Sequence, residues 1–323
     1  VPDARRATPS TSRSALLVAL AGVLFGTTGT AQALGPTSTN ALSVGAMRIV
    51  VGGTLMAVFG LVRYVRRAGW TMPPRTRALL WVVVGAAGLL LFQVTFFAGT
   101  RANGVAVGTV VALGAGPLFA GVFEALLFRR PPSPRWLAAT ALAVAGIVAV
   151  SGVLGSGPLR LDPWGLFASL TAGAGYAGYA VSTRVLLQRG WDPVDTLASI
   201  LAVGVLLGGL ILSRTDNAWV ADPGGVAMVA WLAVVTVFCA FQLLVFGLRG
   251  LSAATATTVA LTEPATATLL GVLVLGEPLG WMQALGLAGL VAGVVVAGTG
   301  ADRSPAAGGR PPAEARPEPP ATD

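Results

Sequence analysis

The sequence predicts an all-α integral membrane protein of ten transmembrane helices in two inverted five-helix repeats, and three observations carry that prediction. The 323 residues are 54% hydrophobic and only 11% charged, whereas a soluble domain carries roughly a quarter charged residues. Ten apolar runs are long enough to approach the thickness of a hydrocarbon layer of about 30 Å. They cover 14–34, 41–62, 78–99, 103–128, 136–154, 163–183, 196–213, 226–247, 252–275 and 281–299, or 214 of the 323 residues, which leaves too little chain for a soluble catalytic domain. Finally, residues 113–150 resemble 260–297 at an offset of 147, with Gly116-Pro117 falling on Glu263-Pro264 and Ala145 to Val148 on Ala292 to Val295. Five spans per half is an odd number, so the second half enters the membrane from the opposite side. Inverted repeats of this kind are a frequent architecture of secondary transporters, whose halves rock about a central site.

Residues 1–13 form a short N-terminal segment holding Arg5, Arg6 and Arg13. With Ala31-Gln32-Ala33 at its far end, the first span has an alternative reading as a cleaved signal peptide; its 21 apolar residues are longer than a usual signal core. The first repeat occupies 14–155, the second 156–299, and 300–323 is a Pro-, Ala- and Gly-rich tail whose composition predicts disorder. Loops alternate between two sides. The set containing both termini, 63–77, 129–135, 184–195 and 248–251 has 17 arginines, against Arg101, Arg160 and Arg214 in the other. Basic loops stay in the cytoplasm, so both termini are expected there, with the chain in the plasma membrane.

Three charges fall inside the spans: Arg48, Glu124 and Glu263. Intramembrane charges cost several kcal/mol unless paired or wetted, so each is a candidate site residue. Glu124 lies 21 residues into the fourth span, about 31 Å from its outer start; there it reads as an interfacial carboxylate near Arg129 and Arg130. Glu263 is 11 residues into the ninth span and Arg48 seven into the second, about 16 and 10 Å deep. They read as a structural ion pair, a gating or substrate-orienting pair, or a proton-coupling carboxylate with its counter-ion. Gln93 and Phe96 in the third span, and Phe241 and Gln242 in the eighth, add amide and aromatic edges. On the sixth, Ser169, Gly173, Tyr176, Tyr179 and Thr183 share a helix face, as do Thr255, Thr258, Thr262 and Thr266 on the ninth. Small residues such as Gly204, Gly208, Gly289 and Gly293 allow close helix approach, within the chain or in a homodimer.

Composition also excludes chemistry. There is no histidine, and Cys239 is the sole cysteine, so imidazole catalysis, His-based metal sites and disulfides are ruled out. No lysine is present, hence no phosphate-binding loop of the Gly-x-x-x-x-Gly-Lys-[Ser/Thr] type. No cofactor or metal is expected, and the all-arginine basic set does not indicate nucleic acid as a partner. Expected partners are the lipid bilayer and a small-molecule metabolite. The leading reading is a secondary transporter rather than an enzyme; the alternative is a non-transporting receptor or assembly factor on the same fold.

Certain stretches carry a family resemblance. Leu261 to Gly280, LTEPATATLLGVLVLGEPLG, with QALGLAGLVAGVVV from Gln283, resembles the EamA-type branch of the drug/metabolite transporter superfamily. So does GAGPLFAGVFEALLFRRPPSPRWLAATALAVAGIVAV from Gly114, while ALSVGAMRIVVGG from Ala41 resembles that family's second helix, with its arginine at Arg48. The resemblance spans roughly 14–299 and implies ten helices in two inverted repeats, cytoplasmic termini, and efflux or exchange of small metabolites. Two positions depart from the pattern: Arg130 stands where the second half has Glu277, and Gly116 where it has Glu263.

Overall fold

The computed structural model describes residues 10–67, 76–103, 105–129, 132–151, 153, 161–276 and 278–299. Their regular structure is helical, with no strand among the described residues: α1 Thr11–Ala33, α2 Ala41–Arg67, α3 Thr76–Asn103, α4 Val105–Phe128, α5 Pro134–Val150, α6 Pro163–Gln188, α7 Pro193–Leu212, a short 3-10 helix Ala218–Ala221, α8 Pro223–Trp231, a π-helical segment Leu232–Cys239, α9 Ala240–Gly247, α10 Ala253–Val259, α11 Thr262–Leu275 and α12 Trp281–Thr299. The expected N-terminal segment, the tail, Arg130 and Glu277 lie outside the described residues, apart from Ser10 to Arg13.

Local chemistry sets many of the helix starts. Ser10, Ser133, Asp162, Asp192, Asp222 and Ser252 each accept a backbone N–H of the first turn, and Pro134, Pro163, Pro193 and Pro223 follow four of these caps directly. A proline there loses nothing, because its missing N–H would have had no helical partner. α11 stops at Gly276, which takes the left-handed conformation (φ 70°) that side chains resist.

Among the described residues, eight helical stretches are long and apolar enough to cross a membrane, including Pro223–Gly247, which runs through α8, the π segment and α9, and Ala253–Leu275, which joins α10 and α11. α5, with 17 residues, is shorter, and α6 is not among the eight. Much of α6 is instead enclosed: Ser169, Gly173, Tyr179, Ser182, Thr183 and Arg184 are all buried, so these residues face protein. Large side chains such as Leu126, Leu206, Leu273 and Trp281 stand outward, 72–77% exposed, an apolar belt that calls for lipid.

Packing follows a repeated scheme. α6 lies against α3 and α4 as α1 lies against α9 and α11, while α2 pairs with α7, α4 with α10 and α5 with α12. Contacts at the helix ends sort them into two groups. At one end Arg63 meets Asp192 (3.3 Å), Arg184 meets Glu124 (3.4 Å) and Arg135 reaches Thr299 (3.5 Å). At the other, Asn103 holds Asp162, Ser43 joins Asn217 and Trp219, and Gln283 bonds the Val150 carbonyl. Among the described residues, Arg63, Arg135 and Arg184 thus gather at the end opposite to Asn103 and Ser43.

α5 and α12 touch backbone to backbone. A methyl added at Gly286 would stand 2.7 Å from the Val150 nitrogen and 2.9 Å from the Gly146 oxygen, and one at Gly293 would stand 2.6 Å from the Ala143 nitrogen. Neither obstacle is a flexible side chain, so the helices must separate. Gly286→Val is therefore expected to destabilise by about 1–3 kcal/mol or more. Gly209→Val, where nothing lies within 4 Å, serves as the control, and thermal unfolding in detergent compares the two. Equal melting temperatures would contradict the close contact.

Candidate functional site

The second half departs from regular helix at two places. The first is the π segment in the eighth span, a geometry that accumulates at functional sites. The second is the break at Ala260-Leu261, where the Leu261 and Glu263 amides bond the carbonyls three residues back, those of Thr258 and Ala260. Pro264 explains that break, since proline has no N–H to give and its ring crowds the carbonyl four residues earlier, that of Ala260. Its counterpart Pro117 stays inside a continuous α4.

Glu263 sits in the first turn of α11, directly after the break. Arg48 of α2 and Tyr176 of α6 both lie within electrostatic reach of its carboxylate. All three retain partial accessibility. The ion pair read from the sequence is not a direct contact: no Arg48–Glu263 pair within 4.0 Å occurs among the described residues, and Arg48 Nε is buried without a hydrogen-bond partner. The two opposite charges therefore influence each other without direct contact.

Aromatic rings wall this centre. Phe241 meets Phe25 edge-on at 5.0 Å and Tyr179 at 5.5 Å, and Phe92 links Tyr176 (5.7 Å) to Phe96 (5.4 Å). Tyr179 is fully buried, its hydroxyl beside Thr183 without hydrogen-bond geometry.

Other expected residues are placed elsewhere. Gln93 donates to the Gly45 carbonyl (3.4 Å) and lines an apolar cleft between α2, α3 and α7. Gln242 donates back to the Phe238 carbonyl (3.1 Å), and Thr262 to the Val259 carbonyl (2.7 Å), within the broken joint. The threonine row from Thr255 to Thr266 does not form one face, because the break divides it; Thr258 meets Thr140 at 3.0 Å instead. Glu124, expected as an interfacial carboxylate near Arg129 and Arg130, has another partner. It meets Arg184, since α6 continues to Gln188 and carries that guanidinium inward. Its two oxygens also accept the Ala253 and Ala254 amides at the start of α10 (2.7 and 3.1 Å), and Arg184 donates to the Leu248 carbonyl (3.1 Å). Together these bonds close the arginine-rich end across α4, α6 and the α9–α10 connection. Arg184 lay one residue beyond the expected sixth span; the polar run Ser182-Thr183-Arg184 was the signal for it.

Comparison with known proteins places this architecture. The model of the EamA-like transporter family matches twice, over residues 12–152 and 163–299. The chain is 34% identical over 283 residues to "Uncharacterized transporter YwfM" of Bacillus subtilis (strain 168), covering 87% of this chain and 92% of that protein. It is 28% identical over 286 residues to "Uncharacterized inner membrane transporter YedA" of Escherichia coli (strain K12), covering 85% and 87%. A solved structure described only as "Crystal structure of protein" shares the fold, with a TM-score of 0.74 at 21% identity over 89% of this chain and 97% of that one. A multi-span helical bundle with two matches to one family model, and with relatives aligned over nearly their whole length, is a member of the EamA-like transporter family.

Proposed function

We propose that this protein is a secondary transporter that exports or exchanges small amino-acid-like or drug-like metabolites across the plasma membrane by alternating access. In this reading the helical elements make ten spans in two inverted five-helix repeats, 14–155 and 156–299, with both termini cytoplasmic. The packing scheme supports the repeat. Exchanging each span with the one five further on turns the α6 contacts with α3 and α4 into the α1 contacts with α9 and α11, and leaves the α2–α7 and α5–α12 pairs unchanged. The gathering of Arg63, Arg135, Arg184 and their loops at one end supports the orientation.

One observation carries the substrate reading: Arg48 and Glu263 lie within electrostatic reach of each other with no ion pair between them, and Arg48 Nε is buried without a hydrogen-bond partner. Desolvated charges left apart are costly, and a molecule bearing both an anionic and a cationic group satisfies them together. The aromatic walls accept its apolar part. Flux of radiolabelled amino acids, from alanine to tryptophan, into sealed vesicles holding the purified protein tests this. Saturable uptake of at least one, reduced in Arg48→Gln, is expected; folded protein that moves none of them would overturn the reading.

A further inference from the structure

This inference rests on the substrate reading above and concerns the room beside Glu263. The repeat offset of 147 sets Gly116 against Glu263 and Gly29 against Tyr176. Backbone contacts support the correspondence. A methyl at Gly173 of α6 would stand 3.1 Å from the Gly116 nitrogen, and one at Gly26 of α1 would stand 2.7 Å from the Glu263 oxygen; Gly26 and Gly173 are themselves 147 apart. Each helix thus crosses its partner at the same place, and three residues later presents Tyr176 in one half and Gly29 in the other.

Side-chain volume is exchanged between these paired positions. A methyl at Gly116 would lie 3.2 Å from Tyr176 Cδ1, so the tyrosine ring covers the glycine; a methyl at Gly29 would meet nothing within 4 Å. Where α6 fills its half with a ring, α1 leaves the matching position open at Gly29, one turn beyond the Gly26 contact with α11. That space belongs to the packed face of α1. Gly29 lies four residues after Phe25 and three after Gly26, which places it on their face; Val18, Gly22, Phe25 and Gly26 are buried there, whereas Gly29 is exposed.

We infer that Gly29 keeps open, and limits the size of, a compartment beside Glu263 that takes an uncharged substrate side group up to the size of an aromatic ring. The residue determines specificity by volume, not by contact.

Two measurements test this on the full chain. In a Cys239→Ser background, Gly29→Cys in membrane fragments open on both sides should react with a water-soluble thiol reagent at least tenfold faster than Gly209→Cys, whose position is also open but lies on an outward face of α7. An unreactive Gly29→Cys would overturn the inference by showing that the space is not aqueous. In sealed vesicles, Gly29→Phe should lower the ratio of phenylalanine or tryptophan transport to alanine transport by tenfold or more, while Gly209→Phe keeps the parent profile. Unchanged selectivity in Gly29→Phe would overturn the inference even where transport itself is confirmed. Thiol reactivity at Gly29 in a parent that moves no amino acid would support the compartment and reject the substrate reading alone.

Discussion

Glu124→Ala is expected to destabilise the protein by about 3–5 kcal/mol, the usual consequence of removing one member of a buried ion pair. Arg184, whose side chain is 4% exposed, would keep its bond to Leu248 but lose its counter-charge, and the amides of Ala253 and Ala254 would lose their acceptor. Glu124→Gln should recover part of the loss, because its amide oxygen still accepts a backbone N–H. The double variant Glu124→Ala, Arg184→Leu should be less damaged than the two single changes combined, since no orphan charge remains. Thermal unfolding in detergent gives all four values. Single changes that are small and strictly additive would show that the end of the bundle is not closed by this cluster. The same contact matters for movement. α10 has only seven residues and is held at one end by Glu124, while its other end is the break beneath Glu263, so loosening the cluster should also alter the transport rate.

Glu263→Gln is expected to fold and to lose transport of the best-moved amino acid by roughly 30-fold or more, the range seen when one member of a desolvated charge pair is truncated. Stability should change little, because Glu263 has no ion-pair partner within 4.0 Å among the described residues. That combination separates a working carboxylate from a structural one. Were Glu263 holding Arg48 for packing, the substitution would strand the guanidinium and lower the melting temperature before any effect on flux. Parent-level flux in Glu263→Gln would make the residue dispensable.

Much of the bundle was legible because hydrophobic spans and capping residues are local signals. Asp162-Pro163, Asp192-Pro193 and Asp222-Pro223 announce helix starts, and the expected spans differ from the observed helices mainly at their ends. α6 ran further than its apolar run because Arg184 is paired within protein, a compensation that hydropathy does not register. The interior of the ninth span was misread as one helix. The run Leu261-Thr262-Glu263-Pro264 held the signal, but an even row of threonines at helical spacing concealed it. Of the candidate residues, Arg48 and Tyr176 lie within electrostatic reach of Glu263, and Tyr179 and Phe241 meet through their rings. Gln93 and Gln242 turn to backbone carbonyls, a choice set by neighbouring turns and not by residue type. Gly29 could not be noticed alone, for its meaning lies in the tyrosine that the other half puts in its place.

The central claim is that Arg48 and Glu263 recognise opposite ends of one substrate. Competition by three probes tests it most directly: the best-transported amino acid, its carboxamide, which lacks the carboxylate, and its deaminated acid, which lacks the ammonium. The parent should prefer the intact amino acid over both analogues. Arg48→Gln should lose most of the preference over the carboxamide and keep that over the acid, while Glu263→Gln should do the reverse, because each variant removes the group that read the missing charge. Equal weakening of all three probes in both variants would contradict the account.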